Sequence, residues 1–262
     1  MMECAIDNAK IVQGRPVLVV RNGRGRTGGS TFLDFLIQRA RIEGRSVLVG
    51  DGDRRNATLA ALYAPGTPGG AFLPKSDETP DVKEWIRGLV SKMAQERVSL
   101  VLDLGAGDQA LAESCRELDL VEFCEEHEVE PLFLGTMGPD PEDFEHLLTI
   151  KRAGFFQTRR VILVLNHNLV RAGKTADGEF DAILERPELE ELEGPGFRIL
   201  QMPRLIYMEK IRQCGLNFYE AAAYGKRKDG RPIDPMWQFD AKKWIKHLER
   251  EIQENDVGEW LP

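Results

Sequence analysis

Paired cysteines are missing from this sequence. Its four cysteines, Cys4, Cys115, Cys124 and Cys214, are scattered, and no CxxC occurs. That spacing argues against a structural zinc site and fits a reducing cytoplasm. Long apolar runs are missing too. None approaches the ~18 to 20 residues that a bilayer requires, so no membrane span is expected. The opening "MMECAIDNAK" has no basic stretch followed by an apolar run, so no secretory signal is expected either. Positive charge is in deficit, with 35 Lys and Arg against 43 Asp and Glu, a net charge of −8. This disfavours a protein that coats nucleic acid with its whole surface. Two local basic stretches remain, "KRAGFFQTRR" (151–160) and "YGKRKDGRP" (224–232). Solvated loops are the ordinary reading of both; nucleic acid is a possible but not a favoured partner. Internal repeats and low-complexity tracts are also lacking.

What is present suits one large soluble domain spanning 1–262, with 42% apolar and 30% charged residues. Apolar runs at 16–22, 46–51, 98–105, 130–137, 159–168 and 197–203 read as strands. Continuous rather than alternating apolarity marks them as buried on both faces, as in a parallel sheet. Helical spacing is found over 29–43, 81–96, 108–127, 141–153, 205–213, 217–224 and 240–254, with a helical turn at 57–64. The helix over 108–127 carries Cys115, Cys124 and His127. Segments 65–80 and 169–180 read as loop. Strands alternate with helices, which predicts a mostly parallel twisted α/β sheet with helices on both faces, a three-layer sandwich. In such sheets ligands bind outside the carboxyl ends of the strands.

Three of those ends carry chemistry. The first strand runs into "VLVVRNGRGRTGGST" (17–31). Against the phosphate-loop pattern GxxxxGK followed by Ser or Thr, Gly23, Gly28 and Ser30 match, and Gly29 stands where the lysine belongs. Glycines let backbone N–H groups converge on an anion, and the helix that follows offers its positive end. A Ser hydroxyl suits Mg²⁺. Arg24 and Arg26 bring positive charge from the other side of the loop, although a guanidinium does not reproduce an ammonium point charge. The second strand ends in "DGDRRNAT" (51–58), where Asp51 and Asp53 suit Mg²⁺ and the orientation of a water. A helix cap by Asp53 or Asn56 is the plainer reading. The third ends in "VLDLGAG" (101–107), with Asp103 as a second magnesium carboxylate and Gly105 and Gly107 as hinges of a moving loop.

In this order and at these spacings, the three segments resemble the ParA/MinD class of deviant phosphate-loop ATPases, whose first motif is KGGxGK followed by Ser or Thr. Arg24 falls at that class's early signature lysine, Gly29 at its ordinary lysine and Ser30 at its hydroxyl. "DGDRRNAT" is similar to its DxDPxxN segment through Asp51, Asp53 and Asn56. Asn166, in "LVLNHN", and Pro203, in "LQMPRL", stand where the class contacts the base. Within the class the chain looks closest to the TraL-like conjugative-transfer proteins. The resemblance covers about 15–215, leaving 205–262 as a helical extension packed on the domain.

It implies ATP (or ADP) with Mg²⁺, bound by Gly23, Gly25, Arg26, Thr27, Gly28, Gly29, Ser30, Thr31, Asn166 and Pro203. Ser30, Asp51 and Asp103 would hold the metal. Asp53 would orient the attacking water, and Arg24 would contact phosphates in cis or in trans across a face-to-face homodimer. A protein partner of a transfer or partition complex is implied as well. The departures bear on turnover, because losing one electrostatic contact at the transferred phosphoryl typically costs ~10²–10³ in rate. Three readings stay open besides a slow ATPase switch: a non-catalytic scaffold that binds a partner, a DNA-associated ATPase, and a ligase or kinase such as the dethiobiotin synthetases. A lysine restored at position 29 would speed hydrolysis if the pocket had merely lost one contact.

Overall fold

The computed structural model describes residues 14–104, 108–154, 156–171, 173–223, 225–227 and 229–262. Cys4, Gly105 and Gly107 lie outside the described residues. The elements follow in the order β1 (Val17–Arg21), α1 (Gly29–Ile42), β2 (Val47–Asp51), α2 (Thr58–Leu62), β3 (Ala71–Phe72), α3 (Thr79–Glu96) and β4 (Ser99–Asp103). Then come α4 (Asp108–Leu118), α5 (Leu120–Glu126), β5 (Glu130–Met137), α6 (Pro141–Arg152), β6 (Arg160–Asn166) and α7 (Ala176–Leu184). The chain closes with β7 (Phe197–Met202), α8 (Met208–Gln213), α9 (Phe218–Ala222) and α10 (Pro235–Glu254).

Among the described residues the sheet has seven strands in the order β3-β2-β4-β1-β5-β6-β7, and every pairing between them is parallel. The expected α/β architecture is therefore present. Its two-residue period sorts the core. Val17 and Val19 of β1 join the cluster under α1, α2, α8, α9 and α10, while Leu18 and Val20 join the cluster under α3, α4 and α5. A third cluster, under α6 and α7, covers Leu163 and Leu165. β4 lies on one side of β1 and β5 on the other. The winding reverses there, so the ligand crevice belongs at the carboxyl end of β1.

Four local expectations are corrected. The Pro- and Gly-rich stretch 65–80 is not all loop, because Ala71 and Phe72 pair with Val49 and Gly50 as an edge strand. The span 108–127 is two helices. Asp119 takes a left-handed conformation (φ 41°) and its side chain accepts from the Glu122 N–H, so Cys115 and Cys124 sit on different helices. Segment 169–180 contains the start of α7, which buries Phe180 and Ile183 one turn apart. The last helix begins five residues early: Asp234 accepts from the Met236 N–H at 2.8 Å and Pro235 takes the first position, a start that suits proline's fixed φ.

The carboxyl-terminal helices are built into the main core. Trp244 of α10 lies edge-on to Phe35 of α1 (ring centroids 5.5 Å apart) and against Phe218 of α9 (4.8 Å). Its indole N–H donates to the Pro203 carbonyl at 2.9 Å. Arg39 Nε of α1 donates to both carboxylate oxygens of Glu249 of α10, at 3.2 and 3.0 Å. No helix among the described residues is long and apolar enough to cross a membrane. Truncating Trp244 removes a large buried ring and a hydrogen bond. Trp244→Ala should therefore lower unfolding stability by about 3–5 kcal/mol, read as a shift of the urea midpoint.

Candidate functional site

The carboxyl ends of β2, β4 and β1 form one level row. Asp51 pairs in register with Asp103, and Asp103 with Arg21. Residues in register point to the same face, so two carboxylates and a guanidinium stand side by side. Arg21 Nη1 donates to Asp103 Oδ1 at 3.2 Å, and both side chains are almost wholly buried. Asp51 turns inward: Oδ2 accepts from the Ala60 N–H of α2 at 2.9 Å and Oδ1 from the Asp53 N–H at 3.2 Å. Burial, with Asp103 alongside, pushes the Asp51 carboxyl up from 3.8 to about 6.

After β1 the chain loops over the start of α1. Gly28 takes the capping position with φ 91°, and no side chain caps the helix. The first turn of α1 holds no acidic residue, so the helix keeps an open positive end. Ser30 Oγ donates to Asp103 Oδ2 at 2.5 Å. A cavity of about 540 Å³ lies over this corner. Gly25, Arg26, Gly28, Gly29, Ser30, Thr31, Asp53, Asp103, Asn166 and Pro203 of the expected set line it. Asp51 and Thr27 do not. Thr27 is buried beneath the loop, its hydroxyl 3.0 Å from the Arg24 carbonyl and 2.8 Å from Thr136 Oγ1.

Arg24 points away from this cavity. It is held by three carboxylates at the start of α6: Asp143 at 3.0 Å, Glu142 at 3.0 Å and Asp140 at 3.8 Å. Gly23 closes the turn out of β1, 3.8 Å (as a built Cβ) from the Thr136 carbonyl. Arg26 adopts φ 68°, a left-handed conformation that glycine takes without penalty. Asn166 braces the loop: Nδ2 donates to the Thr27 carbonyl at 2.9 Å and Oδ1 accepts from the Asn168 N–H at 3.0 Å. Asp53 caps the short helical turn 54–56, accepting from the Asn56 N–H at 3.0 Å while still facing the cavity.

Two cationic wall residues were missed by sequence reasoning. Arg212 of α8 reaches the cavity, tied to Asp34 at 3.2 Å. Arg21 forms part of its floor. The sequence held one signal for Arg21: a cation ending a strand that is otherwise buried on both faces has to be paired. Several cations of the two basic stretches lie beside carboxylates, Arg152 by Glu191, Arg160 by Glu130, and Arg227 and Arg231 both by Asp229.

No protein-family profile and no curated protein matches the chain. Among solved structures it is similar to a putative plasmid partition protein from Borrelia burgdorferi bound to AMPPNP: 11% identity, TM-score 0.49, 93% of this chain on 98% of that one. It is also similar to a Cyanothece McdA–ATP complex, with 14% identity, TM-score 0.47, and 90% of this chain on 98% of that one. The chloroplast FtsY of Physcomitrella patens is matched at 16% identity and TM-score 0.44, with 87% of this chain covered. The chain spans 65% of that FtsY's length. At these values the chemistry of the site has to be argued from its own residues.

Two measurements test this geometry. A Cβ on Gly28 would lie 2.2 Å from Asn166 Nδ2 at a positive φ. Gly28→Ala should cost about 1–3 kcal/mol of stability and open the Thr27–Asn166 brace, read by chemical unfolding. Because Asp51 keeps its proton longer in the folded chain than in the unfolded one, its contribution to stability is complete below about 3.8 and lost as pH rises through about 6. The melting-temperature advantage of the wild type over Asp51→Asn should shrink across that window. An advantage that grows with pH would contradict the assignment.

Proposed function

We propose that the cavity holds the phosphate chain of a nucleoside triphosphate, ATP in the first instance, together with Mg²⁺. One observation carries this reading: a glycine loop ends on an uncapped helix start at the carboxyl end of the central strand, with the Ser30 hydroxyl on the Asp103 carboxylate. The donor chemistry fits the metal. Mg²⁺ takes hard oxygen ligands, usually one or two from protein with the rest from phosphate and water. Ser30 and Asp103 supply such a pair. When bound, the ion would neutralise charge on the phosphates. We assign Asp51 to bracing α2 and the turn before it rather than to the metal, because both its oxygens accept backbone N–H groups. Asp53 is assigned to orienting the attacking water. Arg24, tied to α6, is assigned to the cavity only after those pairs open.

Turnover in this arrangement is slow, because neither lysine position of the loop holds a lysine. The role that follows is a nucleotide-binding switch, homodimeric across the nucleotide face, in plasmid transfer, partition or positioning. Its placement there is supported by the resemblance of "DGDRRNAT" and "VLDLGAG". A second reading, a scaffold for a protein partner, is favoured by the exposure of Ile206 (65%), Met236 (59%) and Phe239 (63%). Calorimetry with ATP, with and without Mg²⁺, decides between them. We expect binding that Mg²⁺ strengthens, and a Ser30→Ala variant that still binds ATP but no longer responds to Mg²⁺. Absence of ATP binding, together with capture of a protein partner, would select the scaffold.

A further inference from the structure

Gly29 is not required by its backbone, since its φ lies outside the left-handed region. It begins α1, where alanine would be the better helix former. A neighbouring side chain is what excludes a larger residue. A Cβ built on Gly29 would lie 2.1 Å from Arg21 Nε, 2.6 Å from Cζ and 2.9 Å from Cδ. The Arg21 guanidinium thus stands on the ground that a lysine at 29 would have to cross.

The Arg21 side chain is fixed there. Nη1 is held by Asp103 Oδ1 at 3.2 Å, and Nη2 by the Arg24 carbonyl at 2.8 Å and Thr27 Oγ1 at 3.1 Å. Nε is buried and has no hydrogen-bond partner among the described residues. A buried, unpaired donor on a cation is costly unless something else accepts from it. It lies beside the helix start, and Arg21 is one of the residues that line the cavity.

We infer that Arg21 is the cation that binds the triphosphate in place of a lysine at position 29, with Nε as the donor kept for a phosphate oxygen. The charge has moved from the first residue of α1 to the last residue of β1, and Gly29 is the space that move requires. This rests on the nucleotide reading above. Asp103 then serves two neighbours, Ser30 through Oδ2 and Arg21 through Oδ1, and sets the distance between them. A lysine installed at 29 competes with Arg21 for one volume, so Gly29→Lys does not restore rapid hydrolysis.

The test is calorimetry with MgATP at low ionic strength on wild type, Arg21→Gln, Gly29→Ala and the double variant. Melting curves confirm that each is folded. Gly29→Ala leaves Asp103 its partner chain and suits the helix, yet pushes the guanidinium aside, so it remains informative if Arg21→Gln does not fold. Each single variant should weaken binding about 10- to 100-fold, the worth of a hydrogen bond to a charged group. Because both remove one contact, the double variant should lose no more than about threefold beyond the weaker single. If the wild type binds and both singles bind within about twofold of it, Arg21 is not the phosphate cation although the nucleotide reading stands. If the wild type does not bind MgATP, the nucleotide reading fails and takes this assignment with it.

Discussion

The buried pair of Arg21 and Asp103 sets the order of this site. Two adjacent parallel strands end in opposite charges at the same register, and neither charge is exposed to water. Such a pair is only tolerable when its remaining donors and acceptors are satisfied, because desolvation cancels much of the Coulomb attraction. The loop supplies most of that satisfaction and leaves one donor, Arg21 Nε, without a partner among the described residues. The Arg24 carbonyl and the Thr27 hydroxyl accept from Arg21, and the Ser30 hydroxyl donates to Asp103. The loop is therefore folded around an ion pair rather than lying freely on the sheet. Asp51, one strand further out, has its pKa raised chiefly by burial, with the Asp103 charge adding to the rise.

Two consecutive glycines follow from two different neighbours. Gly28 is confined by Asn166 at the end of β6 and Gly29 by Arg21 at the end of β1. Gly28 also needs its left-handed φ, whereas Gly29 does not. In sequence they look like one flexible pair. In the fold they are two close approaches of separate strands, and each would be lost for a separate reason. Arg26 shows the converse: a left-handed position filled by a bulky residue, with the backbone strain accepted where the side chain faces the cavity.

Much of the architecture was legible because its signals are local. Continuous apolar runs bounded by turn residues marked six of the seven strands. β3 escaped because two residues of edge pairing leave no period to read. α7 escaped because its polar first turn hid the Phe180 and Ile183 stripe. The break at Asp119 turns on one backbone angle that composition does not encode. At the site, the segments that end in Asp53, Asp103 and Ser30 announced a pocket, and those residues do line one cavity. Motif position did not reveal the partners that several of these side chains take. Arg24 went to the carboxylates of α6, Asn166 to the Thr27 carbonyl, and Asp51 to the N–H groups of Asp53 and Ala60.

By itself the sequence determined that strands alternate with helices, that the sheet is buried on both faces, and that polar, glycine-rich segments follow its strands. Those properties depend on residues within a few positions of one another, where hydrophobic period and turn chemistry act. Only the tertiary structure decided which cation stands beside the start of α1. Arg21 and Gly29 are eight positions apart along the chain, and the partner that fixes Arg21, Asp103, is 82 positions away. Their meeting depends on strand register and on where α1 begins, and a linear motif records neither.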